Sequence, residues 1–297
     1  MTNGRRLLLV HAHPDDESIT TGATMAHYAA SGAAVTLVTC TLGEEGEILP
    51  PELARLESAQ ADQLGGYRIG ELSAAMAALG VRDHRFLGGA GRFRDSGMIG
   101  TPPNEHPRAF WRAAGDEAVF ADAVAELVAV VREVRPHVVV TYDDNGDYGH
   151  PDHIMAHRVT TAAVAAAADP AHPGDEPWSV PKSYWTATPR SSLAAGFEAV
   201  RGRPELPFRA AGAEELSFGV ADDVVTTTID ASAALPAKTA ALEAHRTQLA
   251  VQDGFFALTN LIGRVIDGVE HFRLVLGTLG EVGPDGRERD LFAGIVP

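Results

Sequence analysis

Arg5-Arg6-Leu7-Leu8-Leu9-Val10-His11-Ala12-His13-Pro14-Asp15-Asp16-Glu17 is the stretch on which the reading of the fold turns. Leu7 to Val10 is an unbroken apolar run, the pattern of a strand buried on both faces. It runs straight into five titratable side chains within seven positions, from His11 to Glu17. Such crowding is a poor way to build a core. It suits a metal site at the carboxyl end of a parallel strand, where open α/β sheets place their ligands. His13 and Asp16 stand three residues apart on a turn that Pro14 restricts, and they offer one nitrogen and one oxygen ligand. The plainer alternative is a capped loop whose acids sit at the N-terminus of the next helix.

The chain beyond repeats the strand–helix–strand grammar of a parallel sheet. Residues 18–30 read as a helix and 34–39 as a second buried strand. An acidic loop follows at 41–47, in which Glu44 and Glu45 read as a solvated, mobile turn. A helix is expected over 52–79, kinked near Gly65-Gly66 with Arg68 just past the break, and a short strand over 83–87. Residues 88–115 form a long irregular segment; Phe93, Met98, Phe110 and Trp111 make it an ordered flap beside the site rather than a disordered loop. Then come a helix at 119–134, a strand at 137–141, a polar loop at 142–153 and a helix at 154–168.

Residues 169–177 are rich in Pro, Asp and Gly and read as a linker. Past it the order is mixed: strand 183–188, helix 191–200, strand 224–229, helix 233–250 and strand 270–276. The expected fold is α/β, a Rossmann-like, mostly parallel sheet flanked by helices. A catalytic domain over 1–170 is joined by a smaller α+β region over 171–297, which packs on it and completes the substrate pocket.

Composition narrows the function. The 297 residues carry a net charge of -16, which repels nucleic acid and anionic membrane alike. Cys40 is the one cysteine, so no intramolecular disulfide and no thiolate-rich structural zinc site can form. The N-terminal apolar run is too short for a signal peptide, and none reaches the ~20 residues that span a bilayer. The expected location is cytoplasmic. Lys182 and Lys238 are the only lysines, a bias to which the sequence attaches no mechanism. Nothing in it speaks to oligomeric state.

Two strand-to-loop junctions share a motif: His13-Pro14-Asp15-Asp16 and His150-Pro151-Asp152-His153. Opening on one edge of the sheet, they offer His13, Asp16 and His153 as two histidines and a carboxylate. That is a catalytic zinc count, three protein ligands with a fourth position for water, and Fe²⁺ or Co²⁺ fits the same donors. Asp15 is then placed to take a proton from water activated by the metal. His150 and Tyr148 are placed to stabilise or protonate a tetrahedral intermediate, and Asp152 to orient a neighbouring histidine. His11 reads as a supporting residue; His27, His84, His106, His157, His172, His245 and His271 read as surface or packing histidines.

These motifs resemble the zinc-dependent N-acetylglucosaminyl deacetylases of the LmbE-like (PIG-L-like) family. Further stretches resemble the branch of that family acting in mycothiol biosynthesis: Leu42-Gly43-Glu44-Glu45-Gly46-Glu47, Gly65-Gly66-Tyr67-Arg68, and Arg94-Asp95-Ser96-Gly97-Met98. The likeness is dense over about 5–170 and thinner afterwards. It implies one Zn²⁺ on His13, Asp16 and His153, Asp15 as general base, His150 assisting, and Tyr148 polarising the amide carbonyl. It implies that Arg68, Asp95, Met98, Glu47 and Asn260 hold a glucosaminyl-inositol, a small pseudodisaccharide, whose N-acetyl group is hydrolysed to amine and acetate. Asp147 departs from the family, where the loop often has Gly.

Three alternatives remain at this level. One is the sibling amidase acting on mycothiol S-conjugates, or a broader N-acetylglucosaminide deacetylase; the amidases usually carry a Lys shortly after Asp-Asp-Glu, and Ser18-Ile19-Thr20-Thr21-Gly22 has none. The second is a nucleotide-binding Rossmann module, which calls for a Gly-rich turn where this chain has acids. The third is a metal-dependent binding protein without turnover.

Overall fold

The computed structural model describes residues 4–212 and 218–295. Its main sheet has seven strands in the order β3-β2-β1-β4-β5-β10-β6. These are β1 Arg6–His11, β2 Ala34–Thr39, β3 Asp83–Phe86, β4 Val138–Thr141, β5 Lys182–Thr186, β6 Thr227–Asp230 and β10 Val269–Leu276. The first five pair in parallel, while β10 runs antiparallel to both β5 and β6. Three short strands, β7 Ala250–Gln252, β8 Phe255–Ala257 and β9 Arg264–Val265, form a separate antiparallel sheet.

β1 is the centre of the core because its side chains alternate between two apolar layers. Leu7 and Leu9 join Met25, Leu37, Leu72 and Val140 on one face. Leu8 and Val10 join Val38, Leu127, Val139 and Val159 on the other. The first layer is closed by α2 Gly22–Ala30, α3 Leu64–Leu79 and α8 Leu235–Ala244, the second by α4 Glu117–Val134 and α6 Pro151–Ala168; the short α5 Gly146–Gly149 and α7 Arg190–Arg201 lie outside both. All four β1 residues are fully buried, and each contributes about 1.5–3 kcal/mol by leaving water.

Several expected elements are redrawn by tertiary contacts. The helix expected over 18–30 is two, α1 Asp16–Thr20 and α2, broken at Thr21. The break aims the first amides of α2, those of Ala23 and Thr24, at the Glu270 carboxylate of β10, at 3.0 and 2.8 Å. The helix expected over 52–79 is a 3-10 turn, Pro51–Leu56, then a turn through Asp62 at φ 52, then α3. Gly65-Gly66 and Arg68 therefore lie inside the first turns of α3 rather than at a kink. The helix expected over 233–250 stops at Ala244, because His245 and Thr247 turn inward to the buried acids Glu17 and Glu71.

The composition shift at residue 170 is not a boundary of the sheet. β5 pairs with β4 in parallel, and β10 and β6 continue outward, so residues on both sides of 170 build one sheet. Both lysines secure this extension. Lys182 is 3% exposed and pairs with Glu288 at 2.6 Å; Lys238 is 4% exposed and pairs with Glu270 at 2.8 Å. Removing one partner of such a buried pair costs about 3–5 kcal/mol. Among the described residues, no helix is long and apolar enough to cross a membrane.

Candidate metal and catalytic centre

β1 and β4 lie side by side and parallel, and the chain leaves them toward opposite ends of the sheet. The crevice beyond their carboxyl ends is the place where open α/β sheets bind ligands. Both polar junctions open into it.

Asp16 is the hub. Its Oδ2 accepts from the His13 amide at 2.9 Å and from the Tyr142 hydroxyl at 2.8 Å. The same oxygen lies 3.3 Å from His13 Nδ1 and 3.4 Å from His153 Nε2. Tyr142 in turn accepts the Ala12 amide at 2.9 Å, sits 3.2 Å from His11 Nδ1, and stacks on the His153 ring at 4.2 Å. The orientation of Asp16 is therefore set by a tyrosine that sequence reasoning passed over. Its signal was its place: the first residue beyond β4, in register with the end of β1.

His13 is gripped from its other side as well. Its Nε2 lies 3.3 Å from Asp152 Oδ2 and 3.7 Å from Asp95 Oδ1. Asp152 Oδ2 also accepts the Ser96 amide at 2.9 Å. A carboxylate on one ring nitrogen fixes the tautomer and leaves the other as a ligand atom.

His153 stands on the first turn of α6, 2% exposed, and neither ring nitrogen has a hydrogen-bond partner among the described residues. A buried polar group without a partner costs about 1–3 kcal/mol. Coordination to a cation beside Asp16 would satisfy it, so the residues fit a metal. His150 also brings a ring nitrogen within 4.8 Å of those of His13 and His153. It caps α6, however, with Nδ1 accepting the Asp152 amide at 3.2 Å. Burial, with His13 beside it, pushes His150 down to about 3, so the ring is neutral. A neutral imidazole that accepts at Nδ1 carries its proton on Nε2. His150 thus presents an N–H donor, while Asp16 Oδ2 sits between the ring nitrogens of His13 and His153.

Asp15, the neighbour of Asp16, has a different partner. It precedes α1 at φ 122 and ψ -34, a conformation that costs a non-glycine residue about 1–3 kcal/mol. Its Oδ2 meets Arg68 Nη2 at 3.0 Å. Burial pushes its carboxyl up to about 6, against the pull of the Arg68 guanidinium and with the push of Asp16. Arg68 reaches up from α3 and donates to the carbonyls of Gly43, at 2.8 Å, and Pro14. A side chain at Gly43, which has φ 66, would meet Arg68 Nη1 at 2.1 Å, so only glycine leaves room for this contact. Arg68 is 2% exposed and lies beneath Asp15, while its buried Nε has no hydrogen-bond partner among the described residues.

The second junction is looser. Gly146 at φ 62 lets the chain pass over α6, where a Cβ would lie 2.7 Å from His153 Cβ. Asp147 follows at φ 61 and ψ -77, half-buried, with Oδ1 accepting from Thr186 at 3.4 Å. Tyr148 is 53% exposed and leans its ring on His153 at 5.0 Å.

The remaining candidates are spread out. Asp95 is buried, its Oδ1 accepting the Gly97 amide at 2.8 Å. Met98, Glu47 and Asn260 are exposed. Asn260 Oδ1 accepts the Ile262 amide of its own loop. Glu44 and Glu45 are not a solvated turn: Glu44 accepts the Asp95 amide at 3.0 Å, and Glu45 holds Arg94 at 2.7 Å. These contacts pin the segment over 88–115, whose Phe93 and Phe110 are buried in the core; it is a packed wall rather than a flap. His245, read as an ordinary histidine, is fully buried against Glu17.

Residues 8–164 match the PIG-L family, described as GlcNAc-PI de-N-acetylase. Similar proteins include the 1D-myo-inositol 2-acetamido-2-deoxy-alpha-D-glucopyranoside deacetylase of Thermobispora bispora, 61% identical over 98% of this chain and 99% of the relative. The protein of the same description in Thermomonospora curvata is 59% identical over 98% and 97%. Among solved structures, N,N'-diacetylchitobiose deacetylase from Pyrococcus horikoshii superposes with a TM-score of 0.58 at 18% identity, covering 95% of this chain and 88% of that one. The hydratase GalB from Pseudomonas putida reaches the same TM-score, 0.58, at 19% identity, covering 94% and 99%. At such identities the structural likeness speaks for the fold alone.

Proposed function

The chain belongs to the PIG-L family of GlcNAc-PI de-N-acetylases, and on that premise we propose that it hydrolyses the N-acetyl group of 1-D-myo-inosityl 2-acetamido-2-deoxy-α-D-glucopyranoside. The products are the free amine and acetate, and the step belongs to cytoplasmic mycothiol biosynthesis. The observation that carries the reading is the division of labour between adjacent aspartates. Asp16 points at two histidines and Asp15 at an arginine, within relatives whose names specify this substrate.

His13, Asp16 and His153 would hold the divalent ion, which we assign as zinc from the nitrogen-and-oxygen donor set. When bound, it lowers the pKa of a water toward ~7 and polarises the amide carbonyl. Asp15 accepts the proton of the attacking water as the carbon–oxygen bond forms. Its pKa of about 6 leaves it ionised at neutral pH yet basic enough to take that proton. Arg68 holds it in place from beneath. His150 donates its Nε2 proton to the developing oxyanion, and Tyr148 donates its hydroxyl from the open side. Asp15 then passes its proton to the nitrogen as the carbon–nitrogen bond breaks. Asp95 and Met98 are assigned to the sugar, and Glu47 and Asn260 to the outer pocket.

The test is acetate release from this substrate by protein of measured zinc content, set beside a mycothiol S-conjugate. No turnover of any N-acetylglucosaminide by the zinc-loaded protein would sink the proposal, and a higher kcat/KM for the S-conjugate would move it to the amidase.

A further inference from the structure

Glu17 is the one acid of the first junction that the reaction leaves without a task, and it is fully buried. An acid in the first turn of a helix ordinarily faces water and interacts with the exposed amides. Glu17 instead turns back. Its Oε2 accepts the amide of Asp15 at 2.9 Å. Its Oε1 accepts from the Ser18 hydroxyl at 2.6 Å and lies 2.8 Å from His245 Nε2. His245 is fully buried too, and comes from the end of α8, 228 residues away. Both oxygens of the carboxylate are therefore engaged with protein groups.

The residue held by this pair is the strained one. Asp15 adopts φ 122, and its carbonyl is fixed by the amides of Ser18 and Ile19, each at 3.0 Å. The preceding peptide plane is held at both of its polar ends, the Pro14 carbonyl by Arg68 and the Asp15 amide by Glu17. The conformation also sends the side chain to Arg68 while Asp16, the next residue, meets His13 and His153. A relaxed backbone at Asp15 would redirect both carboxylates.

We propose that Glu17 and His245 are a positioning pair for catalysis, locking the Asp15 backbone so that its carboxylate faces the reacting water while Asp16 faces the metal. The inference rests on the reading of Asp15 as general base. It makes the C-terminal region a working part of the active site, through a contact that touches neither substrate nor metal.

The experiment compares Glu17→Ala, His245→Ala and His245→Gln with wild type, each at measured zinc content and melting temperature. Misplacing a catalytic group by about 1 Å costs on the order of 10²-fold in rate. Glu17→Ala and His245→Ala are expected to lose kcat on the order of 10- to 100-fold, with KM within a factor of about two to three and zinc retained. His245→Gln, whose amide N–H can still reach Glu17, is expected to recover part of kcat, and it stands in if the alanine variants fail to fold. In the background of Asp15→Asn, His245→Ala and His245→Gln should lower kcat no further, because the group they position is gone. A folded, zinc-replete His245→Ala or His245→Gln enzyme with wild-type kcat would overturn the pair, as would additive losses with Asp15→Asn. If Asp15→Asn itself kept wild-type kcat, the base assignment would fall, and the pair's role with it.

Discussion

The two junctions that meet at the end of β1 and β4 carry nearly the same motif and are built to different tolerances. In the first, His13, Asp15, Asp16 and Glu17 are all buried, and each has at least one partner from a distant segment: Asp152, Arg68, Tyr142 and His245. In the second, His153 and His150 are fixed by α6, but the chain just before them runs through Gly146 and Asp147 at positive φ and ends in a half-exposed Tyr148. The rigid junction supplies the groups whose geometry must be right before substrate arrives. The loose one carries the exposed ring of Tyr148 beside His153. A shared motif thus sets the donor types, while the supporting contacts make one half a buried frame and leave Tyr148 of the other exposed.

That contrast can be broken most severely through the metal. Chelation should abolish acetate release and added zinc should restore it; in His153→Ala zinc should restore neither binding nor turnover. If chelated protein kept full activity, the frame would have some other purpose. Within the rigid junction, Asp15→Asn should keep zinc and lower kcat by about 10²–10⁴, the usual contribution of a general base. Asp16→Asn should lose zinc itself, which inductively coupled plasma mass spectrometry reads directly.

In the loose junction, Tyr148→Phe should cost less than the ~10²–10³ typical of a preorganised donor, because a half-exposed ring is held less firmly. A loss as large as that of Asp15→Asn would show that the two junctions are equally preorganised. The smallest effect is on pH dependence. Asp15 must be ionised to act, so kcat/KM should fall as pH drops through a midpoint at or below about 6. The bound cation, like Arg68, favours the ionised form and so lowers that midpoint. Arg68→Gln removes one positive charge and should move the acid limb to higher pH, costing more activity at pH ~6 than at pH ~8. An unmoved limb would separate Arg68 from the base.

Much of this protein is determined by its sequence. The run Leu7–Val10 specifies a strand buried on both faces, because nothing polar interrupts it, and β2 has the bounds expected of it, Ala34–Thr39. The paired His-Pro-Asp motifs specify the donor types, since histidine nitrogens and carboxylates at strand ends serve few purposes but metal and proton chemistry. Those features are local, and a pattern within ten residues is enough to state them. Tertiary structure alone decided the rest. Tyr142 on Asp16, Arg68 on the Pro14 carbonyl, Asp152 behind His13 and His245 against Glu17 join segments 54 to 228 residues apart. The helix end at Ala244 follows the last of those unions, and the break at Thr21 follows the contact with Glu270. The same holds for the sheet, which continues from β4 to β5 across a stretch that reads as a linker. The physical reason is that a buried charge is tolerated only beside its partner. Which segment brings that partner is set by how the whole chain packs, and no local pattern encodes it.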